Sequence, residues 1–223
     1  MSERGGTKTA APRGRLGKRP DRALSAAKYD ARYQELVDIA AHVFARQGYH
    51  ATSIDDLVEA TGLKRGGLYH YISSKEELLI AAHERFIEPL LENARAIATE
   101  GLSAEEALRR LAHALMHDIA VYQDQVTVFL HEWRVIRDAP EWLHVREARK
   151  EFEQIIQSVL DQGRREGVFE LDAPHLTVLG FLGMFNYSYT WYSARGSHSP
   201  EQIAEHFAAI FLSGIRSRPR ADA

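Results

Sequence analysis

The chain has 223 residues, with 28 Lys and Arg against 31 Asp and Glu for a net charge of −3, and it contains no cysteine. That length holds about two domains, and the absence of cysteine excludes a disulfide framework and thiolate metal sites and suits a reducing cytoplasm. The first residues are basic and polar without the apolar core of a signal peptide, and the most apolar stretch, residues 176–185, is too short to span a bilayer, so a soluble cytoplasmic protein is expected.

Charge is unevenly spread. Residues 1–34 hold nine Lys or Arg against Glu3, Asp21 and Asp30, which leaves 19 basic and 28 acidic residues in the remainder. Residues 1–28 therefore read as a basic arm, mobile in the absence of DNA. Within it, Pro12, Arg13, Gly14 and Arg15, followed by Lys18, Arg19 and Pro20, look like pieces of an AT-hook, whose Arg-Gly-Arg core lies in the narrow minor groove. Leu16 stands where that motif has proline. A disordered, solubilising tail has the same composition, so both readings of Arg13 and Arg15 stay open.

A first helix is expected from residue 29 or 31 to 47, with Leu36, Ile39, Ala40, Val43 and Phe44 in one stripe and Gly48 at its end. Ser53 and Asp56 then form a capping box for a second helix, on which Ile54, Leu57 and Val58 share a face. Gly62 suits the left-handed residue at its end, and Leu63 the crossing of two helices. From Lys64 to Tyr71 the one clearly aliphatic side chain is Leu68, so Arg65, Gly66, Tyr69 and His70 are left to face outward. A short helix with an unburied polar face suits a DNA groove. Gly66 and Gly67 cost that helix about 1 kcal/mol each relative to alanine, but they let its backbone approach DNA closely.

This segment resembles the helix-turn-helix of TetR-family transcription regulators. Their pattern of Thr, a hydrophobic helix, Gly and then Leu-Tyr-x-x-Phe-x-x-Lys-x-x-Leu is followed by Thr52, Gly62, Leu68, Tyr69, Ile72, Lys75 and Leu78, with isoleucine in place of the aromatic. The resemblance implies an all-α protein. An N-terminal three-helix DNA-binding bundle with a helix-turn-helix occupies residues 29–76, and a C-terminal helical ligand-binding and dimerisation domain occupies residues 77–223. It further implies a homodimer on a palindromic double-stranded DNA operator. Arg65, Gly66, Gly67, Tyr69 and His70 then lie at base edges, and Thr52, Tyr71 and Lys75 on phosphates.

In the fourth helix, which begins after Lys75, Pro89 removes a backbone hydrogen bond and predicts a kink or break. Ser103 with Glu106 makes a further capping box. Pro140 opens a helix through Gln162, punctuated by Gly163, Gly167 and the run Asp172, Ala173 and Pro174. Two final helices, residues 174–194 and 199–215, are expected. The first is apolar on nearly all sides, and Gly180, Gly183, Ala204 and Ala208 permit close packing, so these two helices are the expected dimer interface.

The C-terminal stretch carries a narrower resemblance through Gly183, Met184, Asn186, Trp191, Tyr192, Gly196, Ser199, Pro200, Glu201, Gly214 and Ile215. They look like the ligand domain of a TetR subgroup that regulates fatty-acid, steroid-ring and branched-chain acyl-CoA metabolism. That resemblance implies an acyl-CoA effector and no required cofactor. A thioester needs an apolar slot, with Phe129, Trp133, Phe152, Phe185, Tyr189 and Trp191 as candidate lining. It also needs cations for phosphates, with Arg134, Arg137, Arg146, Arg149 and Lys150 as candidates. Asn186 either points into that pocket or is a core amide satisfied by backbone. A regulator sensing a non-CoA hydrophobic compound is the alternative. A more distant one is a metal-dependent enzyme using His113 and His117, four apart on a helix, but no His-Glu-x-x-His, glycine-rich phosphate loop or Ser-in-glycine elbow accompanies them.

Overall fold

The computed structural model describes residues 22–133 and 140–217. Arg13, Arg15, Arg134 and Arg137 lie outside these residues. In chain order the helices are α1 (Arg22–Gln47), α2 (Ile54–Thr61), α3 (Arg65–Leu68), α4 (Lys75–Thr99), α5 (Ala104–Val121), α6 (Gln123–His131), α7 (Leu143–Arg165), α8 (Pro174–Asn186) and α9 (Pro200–Ile215). Short 3-10 turns at Pro140–Trp142 and Tyr187–Thr190 lead into α7 and out of α8. Among the described residues there is no strand, only an isolated bridge between Phe169 and Arg216, and no helix is long and apolar enough to cross a membrane.

Several boundaries differ from the sequence expectation. The first helix begins at Arg22 rather than near residue 29. Ala23, Leu24, Ala26 and Ala27 favour helix, and no breaker follows Pro20. α4 runs unbroken through Pro89, because Phe86, Ile87, Leu90 and Leu91 around it are all buried and outweigh one lost hydrogen bond. α8 ends at Asn186, short of residue 194. Ser188 Oγ donates to the Phe185 carbonyl at 2.6 Å and Thr190 Oγ1 to the Tyr187 carbonyl at 2.8 Å, a competition for carbonyls that favours the tighter 3-10 turn.

Helices α1 to α3 form the small head; α5, α6 and α7 pack on the far part of α4, and α8 and α9 pack on α5 and α7 to complete the body. α4 belongs to both. Its buried Leu78, Leu79 and Ala82 face the head, its Leu90, Leu91 and Ala94 the body, and one apolar cluster runs through both. The two units therefore share a rigid beam instead of a linker.

Gly163 lies inside α7 rather than at its end. A Cβ there would overlap the buried ring of Phe169, so the glycine is a seat for that ring, and Gly167 with φ +73° makes the turn. Gly163→Ala is expected to cost about 1–3 kcal/mol by overpacking, seen as a lower thermal midpoint. An unchanged midpoint would mean that Phe169 can move aside freely.

Candidate DNA-reading surface and effector site

The head is built as the sequence implies. Ser53 Oγ accepts from the Asp56 amide at 3.1 Å and the Asp56 carboxylate accepts from the Ser53 amide at 2.7 Å, while Gly62 closes α2 at φ +66°. Leu57 and Leu68 are fully buried and Ile72 nearly so. Arg65, Gly66, Tyr69 and His70 are exposed on the outer side. Neither Gly66 nor Gly67 needs to be glycine for the fold. Both lack a positive φ. A Cβ would meet nothing at Gly66 and only ordinary contact with Leu63 at Gly67.

The residues expected on phosphates divide differently. Thr52 is buried, its hydroxyl donating to the Gly48 carbonyl at 2.8 Å and accepting from Gln47 Nε2 at 3.2 Å. Lys75 Nζ donates to the carbonyls of Tyr49 and Thr52, both at 2.8 Å, and lies 4.3 Å from the Tyr49 ring centroid. Together they staple the α1–α2 connection to the start of α4, so their side chains face inward. Tyr71 is half-buried and stacks on Tyr29, with ring centroids 4.9 Å apart.

Head and body meet along α6. Asp38 on α1 accepts two bonds from Arg85 of α4, at 2.9 and 3.1 Å, and one from Gln125 of α6 at 2.9 Å. His42 Nδ1 lies 2.9 Å from Asp124, and His50 Nε2 3.6 Å from Glu132. On its other side α6 carries Phe129 into the body.

There Phe129 lines a small cavity with Phe86, Ile87, Leu90, Leu115, Arg149, Phe152, Glu153, Leu182 and Asn186. About 30 Å³ of free space remains in it, roughly one water's worth, so admitting an acyl group requires the helices to part. Asn186 is half-buried, and its amide has no hydrogen-bond partner among the described residues. Arg149 is held by Glu153 at 3.1 Å and lies 4.0 Å from the Trp133 ring centroid, which puts Trp133 beside the cavity. Arg146 is half-buried one turn earlier on α7, and Lys150 is exposed.

Other candidates lie elsewhere. Phe185 packs away from the cavity on Phe181 and Phe207. The Tyr189 hydroxyl lies 2.9 Å from His131 Nε2. Trp191 lines a separate groove with His198, Gln202, Ile203, His206 and Phe207. A larger open groove, about 650 Å³, runs along α1 between Ala60 of α2 and Arg85 of α4 and is not a body cavity.

Sequence reasoning did not single out His83; it and Asp118 are buried, each with a side-chain polar atom that has no hydrogen-bond partner among the described residues. Burial pushes the His83 imidazole down to about 4 and the Asp118 carboxyl up to about 6. Each is a single polar residue on an otherwise apolar face, a signal available in the helical pattern. His113 Nε2 lies 3.4 Å from Glu205, but among the described residues no group of three or more His, Cys, Asp or Glu is arranged to hold a metal. Leu176 and Leu179 on α8 and Tyr187 just after it are exposed, as is Ile210 on α9, and Gly180 and Gly183 open onto the same side of α8.

Comparison with known proteins settles the family. The family described as "Bacterial regulatory proteins, tetR family" matches residues 36–82, and "Tetracyclin repressor-like, C-terminal domain" matches residues 101–215. The chain belongs to the TetR family of bacterial transcriptional regulators. Its TetR relatives include the HTH-type transcriptional repressor KstR2 of Mycobacterium tuberculosis, 29% identical over 85% of this chain and 96% of that protein. The corresponding repressor of Mycolicibacterium smegmatis is 30% identical over 83% of this chain and 91% of that protein. The solved structure of the ketosteroid transcriptional regulator KstR2 of Mycobacterium tuberculosis superposes with a TM-score of 0.80 at 28% identity, over 84% and 96% of the two chains. AibR, solved in complex with isovaleryl coenzyme A and operator DNA, shares the fold with a TM-score of 0.72 at 23% identity, over 80% of this chain and 97% of that one. The protein is thus a transcriptional regulator rather than an enzyme.

Two outcomes follow for this TetR protein. Lys75→Met should lower stability by about 1–2 kcal/mol along with DNA affinity. Uniformly weaker DNA binding with an unchanged thermal midpoint would instead return Lys75 to a phosphate. For Asp118 the folded carboxyl binds its proton more tightly than the unfolded one. Stability is therefore lost as pH rises from about 4 to 6. Asp118→Asn should gain about 1–3 kcal/mol at pH 8, and this advantage should shrink toward pH 4. A lower midpoint than wild type at pH 8 would show that the carboxylate has a stabilising partner.

Proposed function

We propose that this protein is a ligand-responsive repressor in the cytoplasm that binds a palindromic operator as a homodimer and senses an acyl-CoA thioester. The observation that carries the reading is the two-sided character of α6. Phe129 fills the body cavity from one side, while Gln125 and Asp124 hold α1 of the head from the other. A group that parts Phe129 from Phe86 and Phe152 therefore pushes on the reading head. Ligand and DNA then change each other's affinity by the same factor.

The exposed apolar face of α8 and α9 supports a homodimer, since such a contiguous face is costly in water and a twofold pair suits a palindrome. The apolar cavity beside Arg149 supports a thioester, with the acyl chain among Phe129 and Phe152 and Asn186 turned to the carbonyl. KstR2 is named for ketosteroid regulation and AibR was solved with isovaleryl coenzyme A. The first is similar over 84% of this chain, and the second shares the fold alone. One observation favours the alternative of a non-CoA hydrophobic effector. Arg149 is already engaged by Glu153 and Trp133, and Glu84, Glu88 and Glu92 line the groove between α4 and α7.

At the DNA, Arg65 is the residue for a bidentate guanine contact, with Tyr69 and His70 beside it and the backbone of Gly66 and Gly67 close to the groove. Arg65→Ala should cost about 1–3 kcal/mol on the operator and relax one base position. Gly66→Ala should keep or raise thermal stability while weakening operator binding about tenfold, because the added methyl meets DNA and not protein. Equal losses on operator and random DNA would sink this assignment. The whole reading is tested by fluorescence anisotropy of labelled DNA from upstream of the protein's own gene, with and without short, branched and long acyl-CoAs. Selective binding that one thioester weakens is the expected result. Selective binding indifferent to all of them would move the effector to the non-CoA class.

A further inference from the structure

The body hides a polar group that its own packing leaves unmatched. His83 has no solvent exposure. It lies on the stripe of α4 that continues through Phe86, Ile87 and Leu90, three residues of the cavity wall, so it occupies the next turn of the same helix face. Its ring packs against Phe129 of that wall, with centroids 5.2 Å apart, and edge-on against the buried Trp142 at 4.9 Å. His83 is thus one ring beyond the cavity, behind Phe129.

Chemistry determines which nitrogen is free. Nδ1 lies 2.6 Å from the Leu79 carbonyl. A carbonyl only accepts, so Nδ1 carries the proton, and the neutral imidazole leaves Nε2 as an acceptor. Because Nδ1 reaches back to its own helix, Nε2 points away from that backbone, into the layer of rings. Among the described residues it has no hydrogen-bond partner. A buried acceptor without a donor is costly. Leucine or methionine at this position would pack the same volume without that cost.

We infer that His83 Nε2 is the acceptor for a hydroxyl or N–H group carried on the hydrophobic part of the effector, which reaches it when Phe129 is displaced. This rests on the body cavity being the effector site and narrows the ligand class. The preferred thioester bears a hydrogen-bond donor on its acyl portion, and a purely hydrocarbon chain leaves Nε2 unpaired. A site built around a buried polar group discriminates by that group more strongly than an apolar pocket discriminates by a methylene. Displacing Phe129 to reach His83 also moves α6, so recognition of the donor and the push on α1 are one event.

The test is calorimetric titration of wild type and His83→Met with matched pairs, a hydroxyacyl-CoA and the acyl-CoA of the same chain. Wild type should prefer the hydroxylated partner by about tenfold or more. His83→Met should lose that preference while its affinity for the plain acyl-CoA stays within about twofold of wild type, since packing volume is kept. Equal binding of both partners by wild type, or a preference that survives in His83→Met, overturns the inference. Failure of every thioester to bind would count against the CoA reading and not against His83, and matched free hydroxylated and plain hydrophobic acids would then replace the thioesters. A second measurement needs no ligand. The thermal midpoint of His83→Met should equal or exceed that of wild type. A fall of more than about 4 °C, roughly 1–2 kcal/mol for a chain of this size, would show that Nε2 is already satisfied in the free protein and would also overturn it.

Discussion

Asp38 is where the head and the body are joined. One half-exposed carboxylate on α1 accepts a forked pair of bonds from Arg85 on the shared helix α4 and a third from Gln125 on α6. Charge-assisted bonds of this kind are the stronger ones, yet partial exposure and salt reduce them toward the range of surface pairs. The balance suits a switch. Allosteric couplings are typically about 1–3 kcal/mol, so a joint much stronger would fuse the two units and one much weaker would transmit nothing. Without it, the apolar cluster along α4 would still hold the fold, and α6 would keep only the contacts of Asp124 with His42 and its packing on α1.

Around that joint the head is stiff where it is hidden and bare where it is exposed. Lys75, Thr52 and Gly48 fasten the loop before α2 to the start of α4, so α2 and α3 move with that helix as one body. The outer surface offers a guanidinium, two ring side chains and two glycines that the interior does not require. The body has the opposite character. Its rings close over a cavity with room for about one water, and it buries His83 and Asp118 with a polar atom each left unmatched. Such places respond to a ligand at the smallest cost elsewhere.

The fold was legible in the sequence to the extent that local rules decide it. Ser53 with Asp56, Gly62 and the spacing from Leu68 to Leu78 specify a helix-turn-helix by capping, backbone sign and period, and the structure has each. What stayed illegible depends on partners distant in sequence. Nothing near Lys75 in sequence reveals that the carbonyls of Tyr49 and Thr52 hold its ammonium. Asp38, Arg85 and Gln125 read as polar faces on three separate helices. Gly163 reads as a stop, because nothing local reveals that Phe169 needs its space. Around the body cavity, Phe129, Phe152, Arg149 and Asn186 do converge, whereas Phe185 and Trp191 turn toward α9, since an aromatic in a segment that is apolar all round carries no mark of which side it faces.

The most direct measurement of the proposed coupling is the ratio of operator affinities without and with a saturating effector, taken in wild type and in Gln125→Leu. Leucine keeps the volume of the buried amide and leaves Asp38 with Arg85, so the head and the body each remain folded. The account predicts that the ratio falls toward one while ligand affinity in the absence of DNA stays within about twofold, because the coupling and not the site has been removed. A ratio unchanged from wild type would contradict it, and would place the transmission of the signal somewhere other than the contact between α6 and α1.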